Sequence, residues 1–359
     1  MKKLIALIVL LVLAGGGYLG FWPVPIEPVA WKAPLTEGYV GVFTPNTKLD
    51  EVTRIDLGEY TGPEGIIVGP DKAIYAAMHD GVILRYDPAT GSHEVYARNE
   101  GRALGIQFGP DDLLYVADAY RGLLRVEADR SITVLADETD DGNPIPYVDG
   151  IDVASNGNVY FSDASLKFGA KANGGTLPAS LLDLMEHGPN GRIIKFDAET
   201  GKATTIASGL SFPNGVALTE DEKSLLIVET GTYSVLKLDL ETDGEPKPLI
   251  SNLPGFPDNI NRNENGSFWV GLVSPRNNAM DKVSDKPFLR KMIQRLPAFM
   301  RPKPERYGFI LRINKNGEIL ETMHGPSGNY ALTTGAIDGP DDKVYISSLT
   351  EPDLAVYGK

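Results

Sequence analysis

The sequence predicts an all-β fold: a six-bladed β-propeller on an N-terminal transmembrane helix, with two insertions forming a cap. Three observations carry this. A strand unit recurs six times, the first 26 residues are apolar behind two lysines, and two repeats are interrupted by long insertions at the same point. The pairs that open the units are 40, 45, 65, 44 and 76 residues apart. Short β-branched and aromatic strands at that spacing read as blades of about four strands, because one blade cannot bury both faces alone.

In chain order, Lys2 and Lys3 precede an uncharged run from Leu4 to Ile26. As a helix rising ~1.5 Å per residue, that run crosses a hydrocarbon core of ~30 Å. Trp22 falls at the level of an interfacial aromatic belt, and Pro23 and Pro25 stop the helix. The lysines hold the N-terminus in the cytoplasm and put the propeller on the extracytoplasmic side, periplasmic or extracellular. Secretion after signal cleavage is the alternative, although Gly15-Gly16-Gly17 followed by bulky Tyr18 makes no clean cleavage site. The expected division is residues 1–26 as membrane anchor or signal peptide, 27–50 as linker and lead-in, and 51–359 as propeller.

Each repeat has a Gly-Ile-like pair, a Gly/Asp turn, and two further strands. The pairs are Gly65-Ile66, Gly105-Ile106, Gly150-Ile151, Gly215-Val216, Asn259-Ile260 and Gly335-Ala336. Turns such as Pro70-Asp71, Pro110-Asp111, Asn156-Gly157 and Pro340-Asp341 follow at matching offsets. The chain ends after a third strand, so the last blade takes its fourth from the N-terminal side, where Glu51 to Leu57 fits. Closure of that kind leaves no open sheet edge.

Hydrophobic residues make up 42% of the 359, enough for a packed core, and the net charge of −14 disfavours nucleic acid as a partner. There is no cysteine, which excludes disulfides and thiolate metal sites.

The residue before each opening pair is Glu64, Leu104, Asp149, Asn214, Asp258 and Thr334. Innermost strands line a propeller's channel, so these positions converge on the axis. Three acids and an amide at such proximity repel one another unless a cation neutralises them. All-oxygen donors without His or Cys select a hard ion, and Ca²⁺ suits them better than Mg²⁺. Such an ion either takes part in chemistry or staples the blades together.

The insertions, 164–192 in blade three and 274–309 in blade five, are expected to form a lid over that end of the channel. Pro287 to Leu296 has an amphipathic helical pattern. Residues 276–306 hold nine Lys/Arg against three Asp/Glu, so membrane contact through this cap stands beside a helical cap with a solvated face.

The stretches Ser211-Phe212-Pro213-Asn214-Gly215-Val216-Ala217-Leu218 and Gly255-Phe256-Pro257-Asp258-Asn259-Ile260, followed by Phe268-Trp269-Val270-Gly271, resemble the strictosidine synthase-like propellers. That group includes the adipocyte plasma membrane-associated protein-like members, within the wider regucalcin/gluconolactonase and paraoxonase superfamily. The resemblance runs from about residue 35 to the C-terminus. It implies one calcium site held by Glu64, Asn214, Asp258 and Asn259, with Asp149 where relatives commonly have Asn. Paraoxonases hold a second calcium with acids where this chain has Gly65 and Gly150. Their catalytic histidine in blade two falls at Leu104, and the Glu that opens the last blade of strictosidine synthase falls in Thr333-Thr334-Gly335-Ala336.

These readings point to calcium-dependent hydrolysis of a lactone or ester small-molecule substrate, with the carbonyl polarised by the metal and attacked by water in the channel. Glu64 and Asp258 are the carboxylates for that chemistry, with His79 and His187 on the loops as further candidate bases. No G-x-S-x-G motif supports a serine nucleophile. The alternatives are a non-catalytic ligand-binding propeller with structural calcium, and a strictosidine synthase-type lyase, which the missing acid of blade six opposes.

Overall fold

The computed structural model describes residues 1–242 and 244–358. Six four-stranded antiparallel sheets are arranged as blades. In five of them the strands pair in chain order, with the innermost beginning near an opening pair: Gly65–Val68, Ala103–Phe108, Val148–Val153, Pro213–Leu218 and Gly255–Arg262. The sixth runs from Thr333–Asp338 outward to Asp353–Tyr357, and Thr53–Asp56 completes it with Thr53 opposite Val356. The expected N-terminal closure is therefore present.

The core lies between blades, where each sheet packs its apolar side chains on the next. Trp269 is fully buried, and its indole N–H donates to Asp338 at 3.1 Å. The glycines of the opening pairs follow from the same packing. A Cβ on Gly105 would lie 2.7 Å from the Asp149 carbonyl oxygen, and one on Gly150 would lie 2.5 Å from that of Asn214. Adjacent inner strands approach too closely for a side chain at these glycines.

Among the described residues, four α-helices lie outside the blades. α1 (Lys2–Phe21) is 20 residues with mean hydropathy 2.4, none of it buried, so it is long and apolar enough to cross a membrane. α2 (Thr176–Glu186) lies in the first insertion, and α3 (Asn278–Asp281) and α4 (Pro287–Arg295) in the second, close to their expected places.

Residues 27–50, expected as a linker and lead-in, are mostly exposed but touch the cap and blade five at several points. Val29 donates its N–H to the Glu186 carbonyl, Trp31 donates to that of Ser284, and Leu49 is fully buried against blade five. Ile26, assigned to the anchor, is likewise fully buried among Tyr147, Phe168 and Phe212. The apolar helix ends at Phe21, and the chain then runs between the cap helices before closing the ring.

Candidate functional site

A register shift recurs where the innermost strands begin, and it is what aims the ring residues. The shift falls at Ala103/Ile106, Val148/Ile151, Pro213/Val216, Pro257/Ile260 and Thr333/Ala336. Leu104, Asp149, Asn214, Asp258 and Thr334 lie inside it, released from the ladder as a bulge releases a residue. Glu64 stands just ahead of its strand, with its N–H on the Ala77 carbonyl at 3.0 Å.

Glu64, Asp149, Asn214 and Asp258 are all buried. Asp149 Oδ1, Asn214 Oδ1 and Asp258 Oδ1 have no hydrogen-bond partner among the described residues. Burial, then repulsion from Glu64, raises the Asp149 carboxyl well above the ordinary range. Burial followed by Glu64 and Asp149 does the same to Asp258, so the three acids sense one another directly. Glu64 is also raised by burial, but Arg102 opposes the shift because its guanidinium donates to Glu64 Oε2. Arg102 is itself buried and held by the Ala103 carbonyl at 3.0 Å.

Asn259 and Thr334 serve the ring differently. Asn259 donates its carboxamide to the Glu64 backbone carbonyl at 3.1 Å and lines a narrow axial channel beneath the ring. The Thr334 hydroxyl donates to that same carbonyl at 2.8 Å. Leu104 is buried in an apolar cluster with Tyr147 and Phe212.

Above the ring opens a cavity of about 750 Å³, with Glu64, Asp149, Asn214 and Asp258 in its lining. Its walls are mostly apolar and aromatic, including Tyr233, Phe212, Phe256 and the leucines of α2. The Trp31 ring stacks on His187 at 3.9 Å between centroids. Burial, then the charge of Arg290, pushes the His187 imidazole down to about 3, so at neutral pH it is an uncharged wall near the Ser211 hydroxyl, 3.3 Å away. His79 is exposed and lies outside the cavity lining. Of the sequence-derived set, the structure brings Glu64, Asp149, Asn214, Asp258 and His187 together, and leaves His79 and Asn259 apart. Arg102 and Trp31 join the site without having been anticipated. A basic residue two positions before the one aliphatic ring position was the available signal for Arg102; Trp31 had none.

Three orphaned, buried oxygens beside raised carboxyls suit a hard cation, since an ion would supply the missing partner and relieve the repulsion. Among the described residues, no three His, Cys, Asp or Glu side chains make a metal-holding group on their own. Glu64 is drawn onto Arg102, so a set that fits an ion must count the Asn214 carboxamide with Asp149 and Asp258.

Fold and site together define a six-bladed propeller with an oxygen-lined pocket at one end of its axis. The strictosidine synthase family model matches residues 149–241, and that of the strictosidine synthase-like N-terminal region matches residues 41–86. The chain is 31% identical over 356 residues to the adipocyte plasma membrane-associated protein of Salmo salar, covering 92% of this chain and 83% of that one. It belongs to that family of strictosidine synthase-like propellers. In fold it is similar to a gluconolactonase from Xanthomonas campestris, at 13% identity and TM-score 0.62 over 92% of this chain and 97% of that one. It is also similar to the calcium-binding protein regucalcin from Agrobacterium tumefaciens, at 16% identity and TM-score 0.59 over 86% and 94%.

Proposed function

We propose that this chain is a calcium-dependent hydrolase of a lactone or ester, anchored in a membrane by α1 with its propeller on the extracytoplasmic side. The observation that carries it is the trio of unpartnered oxygens, Asp149 Oδ1, Asn214 Oδ1 and Asp258 Oδ1, at the floor of an apolar cavity. The calcium-binding name of one structural neighbour and the gluconolactonase name of another agree with it.

Asp149, Asn214 and Asp258 would hold the ion, with Glu64 shared between it and Arg102. A bound calcium would polarise a carbonyl and stabilise the charge that develops on its oxygen. The chain's residues do the rest. The aromatic and aliphatic walls exclude bulk water and orient the acyl part of the substrate. Arg102 fixes Glu64 and neutralises one negative charge, which leaves Asp149 and Asp258 as the unpaired carboxylates, with Asp258 as the candidate to take a proton from the attacking water. His187 walls the cavity instead of accepting protons, because an imidazole titrating near 3 is a weak base at neutral pH.

The buried Arg102–Glu64 pair also favours a second reading, a ligand-binding propeller in which ion and ion pair only hold the blades together. The full chain in detergent micelles, assayed on a panel of lactones and aryl esters with calcium and after chelation, separates the two. Turnover that disappears with chelator, returns with calcium and is absent from Asp258→Ala supports the hydrolase. Calcium-dependent thermal stability with no turnover on any substrate supports the binding protein.

A further inference from the structure

The cap helix α4 is inverted in polarity, and α2 is so in part. α4 turns Arg290, Gln294 and Arg295 inward, all buried, and leaves Phe288 and Leu289 54% and 37% exposed. The turn after it exposes Phe299 and Met300 at 78% and 55%. α2 is mixed: it buries Thr176, Asp183 and Glu186 alongside Ala179, packs Leu182, Leu184 and Met185 inward, and leaves Leu177 and Leu181 37% and 39% exposed. A cap helix bathed in water shows the opposite arrangement, with its apolar stripe facing the core.

The inward polar groups are built into partners, so the inversion is a designed packing and not a loose surface. Arg290 donates to the Val29 carbonyl at 2.8 Å and to those of Ser284 and Leu184, each at 3.3 Å. Asp183 accepts from the Ser165 hydroxyl at 2.6 Å and the Asn190 carboxamide at 2.9 Å. Arg295 donates to the Trp22 carbonyl at 2.5 Å and the Leu19 carbonyl at 2.9 Å, and its own carbonyl accepts from the Tyr18 hydroxyl at 3.1 Å. Those contacts tie α4 to the last turn of α1, where an apolar span ends in Trp22, the residue type that marks a membrane–water interface. The exposed apolar face therefore continues from the end of the membrane helix. Lys286, Lys291 and Lys303 accompany it, in a chain whose net charge is −14. Leu177 and Leu181 belong both to the outer face of α2 and to the lining of the cavity, so apolar surface runs unbroken from outside into the site.

We infer that the cap docks in the bilayer interface beside α1, and that the cavity draws from the lipid an amphiphile with an acyl chain, its carbonyl head reaching the ring and its chain lying along α2. The substrate class rests on the hydrolase reading above; the docking does not. Basic side chains flanking an apolar face favour an anionic leaflet.

The chain lacks cysteine, so single cysteines report cleanly. Phe288→Cys, Phe299→Cys and, on the turn at the opposite face of the propeller, Glu199→Cys are labelled with an NBD fluorophore in the full chain. Each is placed in nanodiscs of phosphatidylcholine and phosphatidylserine. The two cap probes are expected to shift to the blue and to be quenched by lipids brominated near the headgroup, and the Glu199 probe only by aqueous iodide. Iodide quenching at Phe299 equal to that at Glu199 overturns docking; protection from both quenchers means that another protein surface or a second copy covers the face, and overturns it as well. In the same discs, γ-lactones of increasing chain length are titrated and binding is read whether or not they turn over. Affinity should rise by about fourfold for each added methylene until the chain fills the cavity. Binding that is indifferent to chain length rejects the acyl amphiphile. Graded binding without hydrolysis keeps this inference and rejects the hydrolase.

Discussion

Removing calcium should destabilise the propeller by an amount that depends on pH in a definite direction. A ligand present at a hundred times its dissociation constant stabilises the folded state by about 2.7 kcal/mol. Roughly 300 residues lie between Thr53 and Tyr357. At about 2.1 cal/mol/K of unfolding entropy per residue, that stabilisation raises Tm by ~4 °C. Without the ion, burial and mutual repulsion raise Asp149, Asp258 and, less strongly, Glu64 above their ordinary values. The folded metal-free protein then binds more protons than the unfolded chain above the ordinary carboxylate range. Its stability from this ring is present at low pH and is lost as pH rises through the raised values. Calcium displaces those protons, so its stabilising shift should be small in mildly acidic buffer and grow as pH rises towards the alkaline side. Circular dichroism melts of the full chain in micelles, with calcium and with chelator at two pH values, measure this. An equal shift at both pH values would refute the argument, because the ion would then bind away from the titrating carboxylates.

Three further outcomes follow from the same geometry. Arg102→Ala strands the Glu64 carboxylate in a buried site and should cost about 3–5 kcal/mol in chelator, with part of the loss recovered in calcium; denaturant titration measures both. Gly150→Ala drives a methyl group into the Asn214 carbonyl at 2.5 Å, and the inner strands have no room to yield, so the variant should melt far lower or fail to accumulate. His187→Phe keeps the stack on Trp31 and gives up only the 3.3 Å contact with Ser211, so the pH–rate profile above pH 5 should keep its shape; a lost inflection there would make His187 a working base.

The architecture was legible because it is written locally. Each blade carries a turn of Gly, Asp or Asn at a fixed offset, and five of the six opening pairs carry a glycine at the crowded axis. The ring residues were legible because the same register shift recurs at the same place. Asn259 was grouped with the ligands through the family resemblance; in the structure its carboxamide donates to the Glu64 backbone carbonyl. Arg102 reaches from blade two to blade one, and Trp31 crosses from the lead-in to the cap; neither contact leaves a periodic trace. For α4 the amphipathic pattern was visible, but the buried face was not. Its partners, the carbonyls of Val29 and Trp22, stand more than 250 residues away along the chain.

The strand Thr53–Asp56 waits through synthesis for Asp353–Tyr357, its hydrogen-bonding partner. Until those strands are made, the growing polypeptide is an open arc with two unsatisfied sheet edges. Contacts of such long sequence separation form slowly, and unpaired edges are sticky in the meantime. The clasp is an all-or-none event: a stop codon a few residues before Asp353 would leave Thr53–Asp56 without a partner and spring the whole ring.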